Sequence, residues 1–141
     1  MTHASSRVSA LRSVALNVPD LVAAEHFYTT IWHLQVVARD EGAIYFRGTG
    51  ADHHLLALHQ AEGPAKIRCV TLRARDRSAL DVVASAALVA GGKVMQPVAQ
   101  VTEPGGGTGV TVADPDGRVF QVVHGDALHA DVYERSEEHT S

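Results

Sequence analysis

The chain has 141 residues, 45% of them apolar and 20% charged, with a net charge of −4. That is enough chain for one domain with a buried core, and its composition is too apolar for a disordered polypeptide. The acidic balance, without a basic stripe, argues against nucleic acid and membrane partners, and no apolar run approaches the roughly 20 residues that span a bilayer.

Residues 1–9 read as a loose leader with no apolar core of a secretory signal. Arg12 to Val18 alternates and is rich in β-formers, so it is expected to be a strand. Pro19 and Asp20 end it, and Asp20 is placed to cap a helix whose buried stripe is Leu21, Ala24, Tyr28 and Ile31, with Trp32 beside it. Leu34 to Ala38 and Ala43 to Arg47 are expected strands around the turn Arg39-Asp40-Glu41-Gly42. Gly48-Thr49-Gly50 breaks the chain, and His53 to His59 is a further strand. Ala61-Glu62-Gly63-Pro64 is a linker.

Ile67 to Ala74 opens the second half as a strand. Asp76 or Ser78 caps a second helix with a stripe of Leu80, Val83, Ala87 and Leu88, and Gly91-Gly92 stops it. Lys93 to Gln96 is a strand that Pro97 interrupts, which suggests a strand end or a sheet edge. Pro104 to Gly107 is a glycine-rich connection. It lacks the Lys and the strand–loop–helix setting of a phosphate loop. Gly109 to Val112 and Val119 to His124 are strands around the tight turn Asp114-Pro115-Asp116-Gly117.

These elements repeat. Leu11-Arg12-Ser13-Val14-Ala15-Leu16 is echoed by Ile67-Arg68-Cys69-Val70-Thr71-Leu72, and Asp20 and Ala23 fall on Asp76 and Ala79 in the same register. The expected fold class is α+β, two tandem βαβββ modules at about 10–60 and 66–124 within a domain of 10–125. Residues 126–141 form a tail. Its last part, residues 135–141, resembles the translation of a common sequencing-library adapter, which would place the end of the true gene segment near Tyr133 and make this chain a fragment.

The opening Leu11 to Asp20, the Phe27-Tyr28 and Trp32-His33-Leu34 segments and the Asp114 to Gly117 turn resemble the vicinal oxygen chelate superfamily. Its members include glyoxalase I, bleomycin-resistance proteins and type I extradiol dioxygenases. The resemblance covers about residues 10–125 and implies a curved, mostly antiparallel, cup-shaped sheet with the helices outside. The stretch from Phe46 to His59 is similar to the first domain of two-domain extradiol dioxygenases, in which that domain is a non-catalytic copy and the second carries iron on two His and one Glu.

Alternation puts Ser13, Ala15 and Asn17 on one face, with Cys69, Thr71 and Arg73 as repeat partners. The resemblance aligns Ser13, Ala57, Cys69 and Gln121 with the metal-ligand positions of metal-using relatives. None is a ligand of the kind a non-haem Fe(II) site needs, which is two imidazoles and a carboxylate. No metal and no catalytic residue are therefore expected here. The resemblance implies Fe(II) in a missing C-terminal domain.

His53 and His54 are the weak catalytic candidates, because a similar pair supplies an acid/base in the catalytic domain of extradiol enzymes. As neighbours on a strand they would point to opposite faces and could not share an ion; a loop-to-strand corner with polar contacts is the simpler reading. His124 and His129 are read as surface histidines, His26 and His33 as too far apart for one ion, and Phe27, Tyr28 and Trp32 as core. Cys69 is the single cysteine and reads as a core or cavity-wall thiol with no activating base. No disulfide can form within the chain, so a reducing, cytoplasmic compartment is expected.

The function implied by the resemblance is the structural N-terminal domain of an Fe(II)-dependent extradiol dioxygenase acting on catechol-type aromatics. Its partners would be the missing C-terminal domain, a small aromatic ligand and further copies of itself in a homo-oligomer. The alternative is a stand-alone, metal-free small-molecule binder of the bleomycin-resistance kind; a glyoxalase-like metal lyase is disfavoured by the same ligand positions.

Overall fold

The computed structural model describes residues 6–129. The adapter-like segment 135–141 and the rest of the tail beyond 129 lie outside the described residues. Ten elements follow one another as two copies of βαβββ. The first copy is β1 (Val8–Val18), α1 (Leu21–Thr30), β2 (Gln35–Asp40), β3 (Ala43–Arg47) and β4 (Leu56–Gln60). The second is β5 (Lys66–Ala74), α2 (Ala79–Val89), β6 (Lys93–Gln100), β7 (Thr108–Ala113) and β8 (Val119–His124). Among the described residues no helix is long and apolar enough to cross a membrane.

The two copies share one topology. In the first, β1 runs parallel to β4, β4 antiparallel to β3, and β3 antiparallel to β2. In the second, β5, β8, β7 and β6 pair in the same order and senses. Leu16 stands beside Leu58 and Leu72 beside Val122, so the repeat read in the sequence is a repeat in register.

By contacts the described chain divides into two compact units, residues 13–68 with 127–129 and residues 6–12 with 69–126. The core of the first unit gathers Val18, Ile44, Phe46, Leu56 and Leu58 under Leu21, Ala24 and Tyr28 of α1. Phe46 and Leu58 are fully buried, and each such side chain contributes roughly 1.5–3 kcal/mol. The core of the second gathers Ala74, Ala79, Leu80, Val110, Val112 and Val122, with Val8 of β1 packed against it. In that unit Arg75 N–H donates to Arg7 O at 2.8 Å, and the Ser9 hydroxyl donates to Arg73 O at 3.4 Å. β1 thus begins at Val8, inside the stretch expected to be a loose leader.

Both expected caps form. Asp20 Oδ1 accepts from Ala23 N–H at 3.0 Å, and Asp76 Oδ1 accepts from Ala79 N–H at 3.0 Å and from the Ser78 hydroxyl at 2.7 Å. Ser78 holds the N-cap position of α2 without a side-chain cap bond, and the Asp76 carboxylate supplies the cap from two residues upstream. Hydrogen bonds from Ser78 and Arg75 hold its pKa below the usual value. α2 stops at Gly91, φ +88°, with Gly92 N–H on Ala87 O. α1 turns out through His33, φ +57°.

Three expectations fail. The helical stripes are shorter than their periodicity suggests: Ile31 and Leu88, at the helix ends, are about 60% exposed. Phe27 and Trp32 are also exposed; they meet the Tyr28 ring edge-on as a surface aromatic group, and Tyr28 reaches Phe46. The strand expected to end at Gln96 runs on to Gln100. Its ladder slips between Val94 and Gln96 and again between Gln96 and Ala99, so Pro97 sits in an irregular stretch of the outermost strand, β6. There its missing N–H costs no ladder bond.

Candidate functional site

Each module's sheet has one face under its helix and one face away from it. In the first module the helix-free face carries Ala43, Tyr45 and Ala57, with Ala15 and Val37 packed against them. The register lays out its rows. Ala15, Ala57 and Tyr45 stand side by side on β1, β4 and β3. One step along, Ser13, Leu55 and Arg47 form the next row, fixed by Val14 N–H on Leu55 O at 3.0 Å and Leu55 N–H on Phe46 O at 2.8 Å. The corresponding rows of the second module are Thr71, Gln121 and Thr111, then Cys69, Val119 and Ala113.

The four positions that the resemblance sets against metal ligands fall on helix-free faces, Ser13 and Ala57 on neighbouring strands of the first module, Cys69 and Gln121 on neighbouring strands of the second. Their chemistry does not fit a divalent metal. Ala57 has no donor atom. Gln121 Oε1 is engaged by the Thr71 hydroxyl at 3.1 Å, and the Cys69 thiol points to its neighbour's carbonyl, Val70 O, at 3.7 Å. Serine and amide oxygens are weak, neutral ligands where such a metal wants imidazole and carboxylate. Among the described residues, no three His, Cys, Asp or Glu side chains are grouped to hold a metal ion.

His53 and His54 lie in the loop before β4, not on the strand. The strand argument that set them on opposite faces fails: their Nδ1 atoms are 3.0 Å apart. The corner with polar contacts is what forms. His54 is 2% exposed and meets the Tyr45 ring edge-on at 5.0 Å. His129, expected on the open surface, stacks on His53 at 5.4 Å, with its Nε2 3.1 Å from His53 O. Asp52 pairs with Leu128 in an isolated antiparallel bridge, which brings this segment to the loop. His59 stands on β4 near the Tyr45 ring. Burial lowers its pKa below 6.5, the charge of Arg68 adds to this, and Asp40 opposes it.

Two arginines to which the sequence assigned no role stand on these faces. On the second module Arg73 grips Asp126 with two nitrogens, at 3.2 and 2.6 Å, and Arg12 lies 3.8 Å from the same carboxylate. Burial resists the Asp126 charge, but the Arg73 hydrogen bonds and the charges of Arg73 and Arg12 outweigh it, and its pKa lies below the usual value. On the first module Arg47 is 9% exposed, and no hydrogen-bond acceptor meets its Nε. The sequence signal was available: one arginine closing the otherwise apolar run Ala43-Ile44-Tyr45-Phe46.

The profile of the glyoxalase-like domain matches residues 13–123. The chain belongs to the glyoxalase-like domain family, within the vicinal oxygen chelate superfamily. Among solved structures, it is similar to the Mn(II)-bound glyoxalase from Novosphingobium aromaticivorans, with 34% identity and a TM-score of 0.83 over 88% of this chain and 41% of that one. An extradiol ring-cleaving dioxygenase from B. fuscum shares its fold, with 22% identity and a TM-score of 0.78 over 92% of this chain and 36% of that one. The E323L mutant of homoprotocatechuate 2,3-dioxygenase from Brevibacterium fuscum also matches at 22% identity, with a TM-score of 0.75 over the same shares. The glyoxalase-like domain thus spans about two-fifths of the length of these solved relatives. No curated protein matches it.

Proposed function

We propose that this domain is the metal-free, supporting half of a longer vicinal-oxygen-chelate enzyme whose metal sits in a second pair of βαβββ modules. The observation that carries the reading is the residue set Ser13, Ala57, Cys69 and Gln121 at the ligand-equivalent positions, with the Gln121 amide already engaged by Thr71. These residues hold and shape a sheet face; they donate nothing that would bind or activate an oxygen ligand on a metal.

In the extradiol form of this reading, the missing half carries Fe(II) and opens catechol-type rings, and this half supplies packing and oligomer contacts in a reducing, cytoplasmic setting. The 34% identity to a Mn(II)-bound glyoxalase favours a second form, in which the parent is a glyoxalase-type enzyme using a divalent metal. Both give this domain the same role.

Elemental analysis of the purified chain after incubation with Fe(II) or Mn(II) tests the reading. The expected result is well below one metal per chain and no ring cleavage. One equivalent of either metal, lost on Cys69→Ser or Gln121→Ala, would overturn it. Reading the source gene past Tyr133 tests the longer parent: both forms require two further βαβββ modules with a metal-ligand set, and assay of that longer protein for ring cleavage or glyoxalase activity separates them.

A further inference from the structure

We infer that Arg47 anchors a site for a small, apolar monocarboxylate on the helix-free face of the first module. The inference rests on the metal-free reading of that face and adds what the face binds instead.

A guanidinium cannot shed its proton, so a buried arginine needs an anion or a full set of acceptors. Left without a partner in the interior it is destabilising. Arg47 is more than nine-tenths buried, its Nε meets no acceptor, and no ion pair among the described residues includes it. The repeat supplies an internal control. Ala113 holds the place of Arg47 in the second module, so the fold itself does not require a cation there.

The surroundings define the ligand. The neighbouring rows offer Ser13, Ala15, Leu55, Ala57 and Tyr45, a floor of small and apolar side chains with one aromatic edge. Diagonal neighbours across two strands lie about 7–8 Å apart. That is the span of a carboxylate seated on Arg47 with a ring or short chain over Ala57. The guanidinium fork takes a carboxylate with two parallel hydrogen bonds. The position that relatives give to a metal ligand here holds Ala57, beside a fixed positive charge; the face is built to attract the opposite sign.

The test uses the full chain and reads the arginine Nε–H resonances by nitrogen-15 NMR. Benzoate is the probe, benzamide its uncharged analogue, and inorganic phosphate the competing anion. The expected result is one Nε–H resonance that shifts saturably with benzoate, is unmoved by benzamide, and is missing in Arg47→Met. Arg47→Met should weaken benzoate binding about tenfold or more, the loss of a charge-assisted pair. Arg47→Lys keeps the charge but loses the fork and should weaken it less; this variant and the wild-type resonance carry the test if Arg47→Met does not fold. No shift with benzoate would overturn the inference. So would equal or tighter binding of phosphate. A resonance that follows protein concentration and ignores benzoate would assign the carboxylate to a second copy of the chain and overturn the small-acid site. Failure of the metal-free reading would appear separately, as one equivalent of Mn(II) or Fe(II) in the elemental analysis.

Discussion

The two modules have the same strands in the same order, yet they treat a helix-free arginine in opposite ways. In the second module Arg73 is closed on Asp126, whose side chain is 2% exposed. In the first, Arg47 is buried with its Nε unmatched. The helix-covered faces of the two modules are alike, apolar and closely packed. The repeat therefore conserves the face that makes the fold and frees the other face to differ in charge. A satisfied ion pair anchors structure; an unsatisfied buried cation calls for something from outside.

The sharpest way to break this comparison is to remove one charge from each module. Asp126→Asn should leave Arg73 and Arg12 facing a neutral amide and destabilise the chain by about 3 kcal/mol, toward the low end for breaking a buried pair because Arg73 is partly solvated. Arg47→Met should act in the other direction, raising the ligand-free stability by about 1 kcal/mol through removal of the unmatched buried Nε–H. Urea denaturation of both variants measures this. If Arg47→Met destabilises as strongly as Asp126→Asn, the two arginines are equivalent and the contrast is lost.

A pH series sharpens the comparison further. Asp126 and His59 both have pKa values below their ordinary ones. For each, the unfolded chain holds more protons than the folded one between the lowered and the ordinary value. Stability is therefore complete above the ordinary value and falls as pH drops through the folded one. For His59 the loss begins as pH falls below 6.5; for Asp126 it begins below 3.8. The slope of either is at most about 1.4 kcal/mol per pH unit. The first module should weaken in mild acid and the second only in strong acid. His59→Gln should flatten the fall of the denaturation midpoint below pH 6.5, with Asp126→Asn flattening only the acid limb.

The smallest expected effects are at the helix ends. α1 leaves through His33 and α2 through Gly91, both with positive φ. His33→Gly should stabilise by about 0.5–1 kcal/mol, and Gly91→Ala should cost about 1 kcal/mol. Thermal melts of the two variants should move in opposite directions.

Much of this architecture was legible because it rests on local rules. The 56-residue echo from Leu11 to Ile67 gave the two modules, Asp20 and Asp76 announced their helices through capping, and Gly91-Gly92 announced a stop. What escaped depended on distant partners. Leu88 and Ile31 keep helical spacing, but the sheet does not extend under them. Pro97 reads as a break until β6 is known to be irregular and outermost. His53 and His54 look like a strand pair until the segment around Leu128 is seen to hold their loop. Asp126 reads as an ordinary tail residue, because nothing local tells that Arg73 closes on it. Arg47 was visible as a lone charge in an apolar strand, but its importance lies in the partner it does not have.

The early start of β1 carries one more consequence. Residues 6–12 are contributed by the first copy in sequence but pack within the second unit, where Val8 joins the core and Arg7 and Ser9 bond to Arg75 and Arg73. The units therefore divide along the chain within β1, between residues 12 and 13, and at residues 68–69, not at the repeat boundary, residues 61–65. A gene cut at that linker would give a downstream half without its exchanged N-terminal arm, and without Arg12 beside Asp126. The order of the elements repeats, yet the second repeat closes its core only with those seven residues from the start of the first.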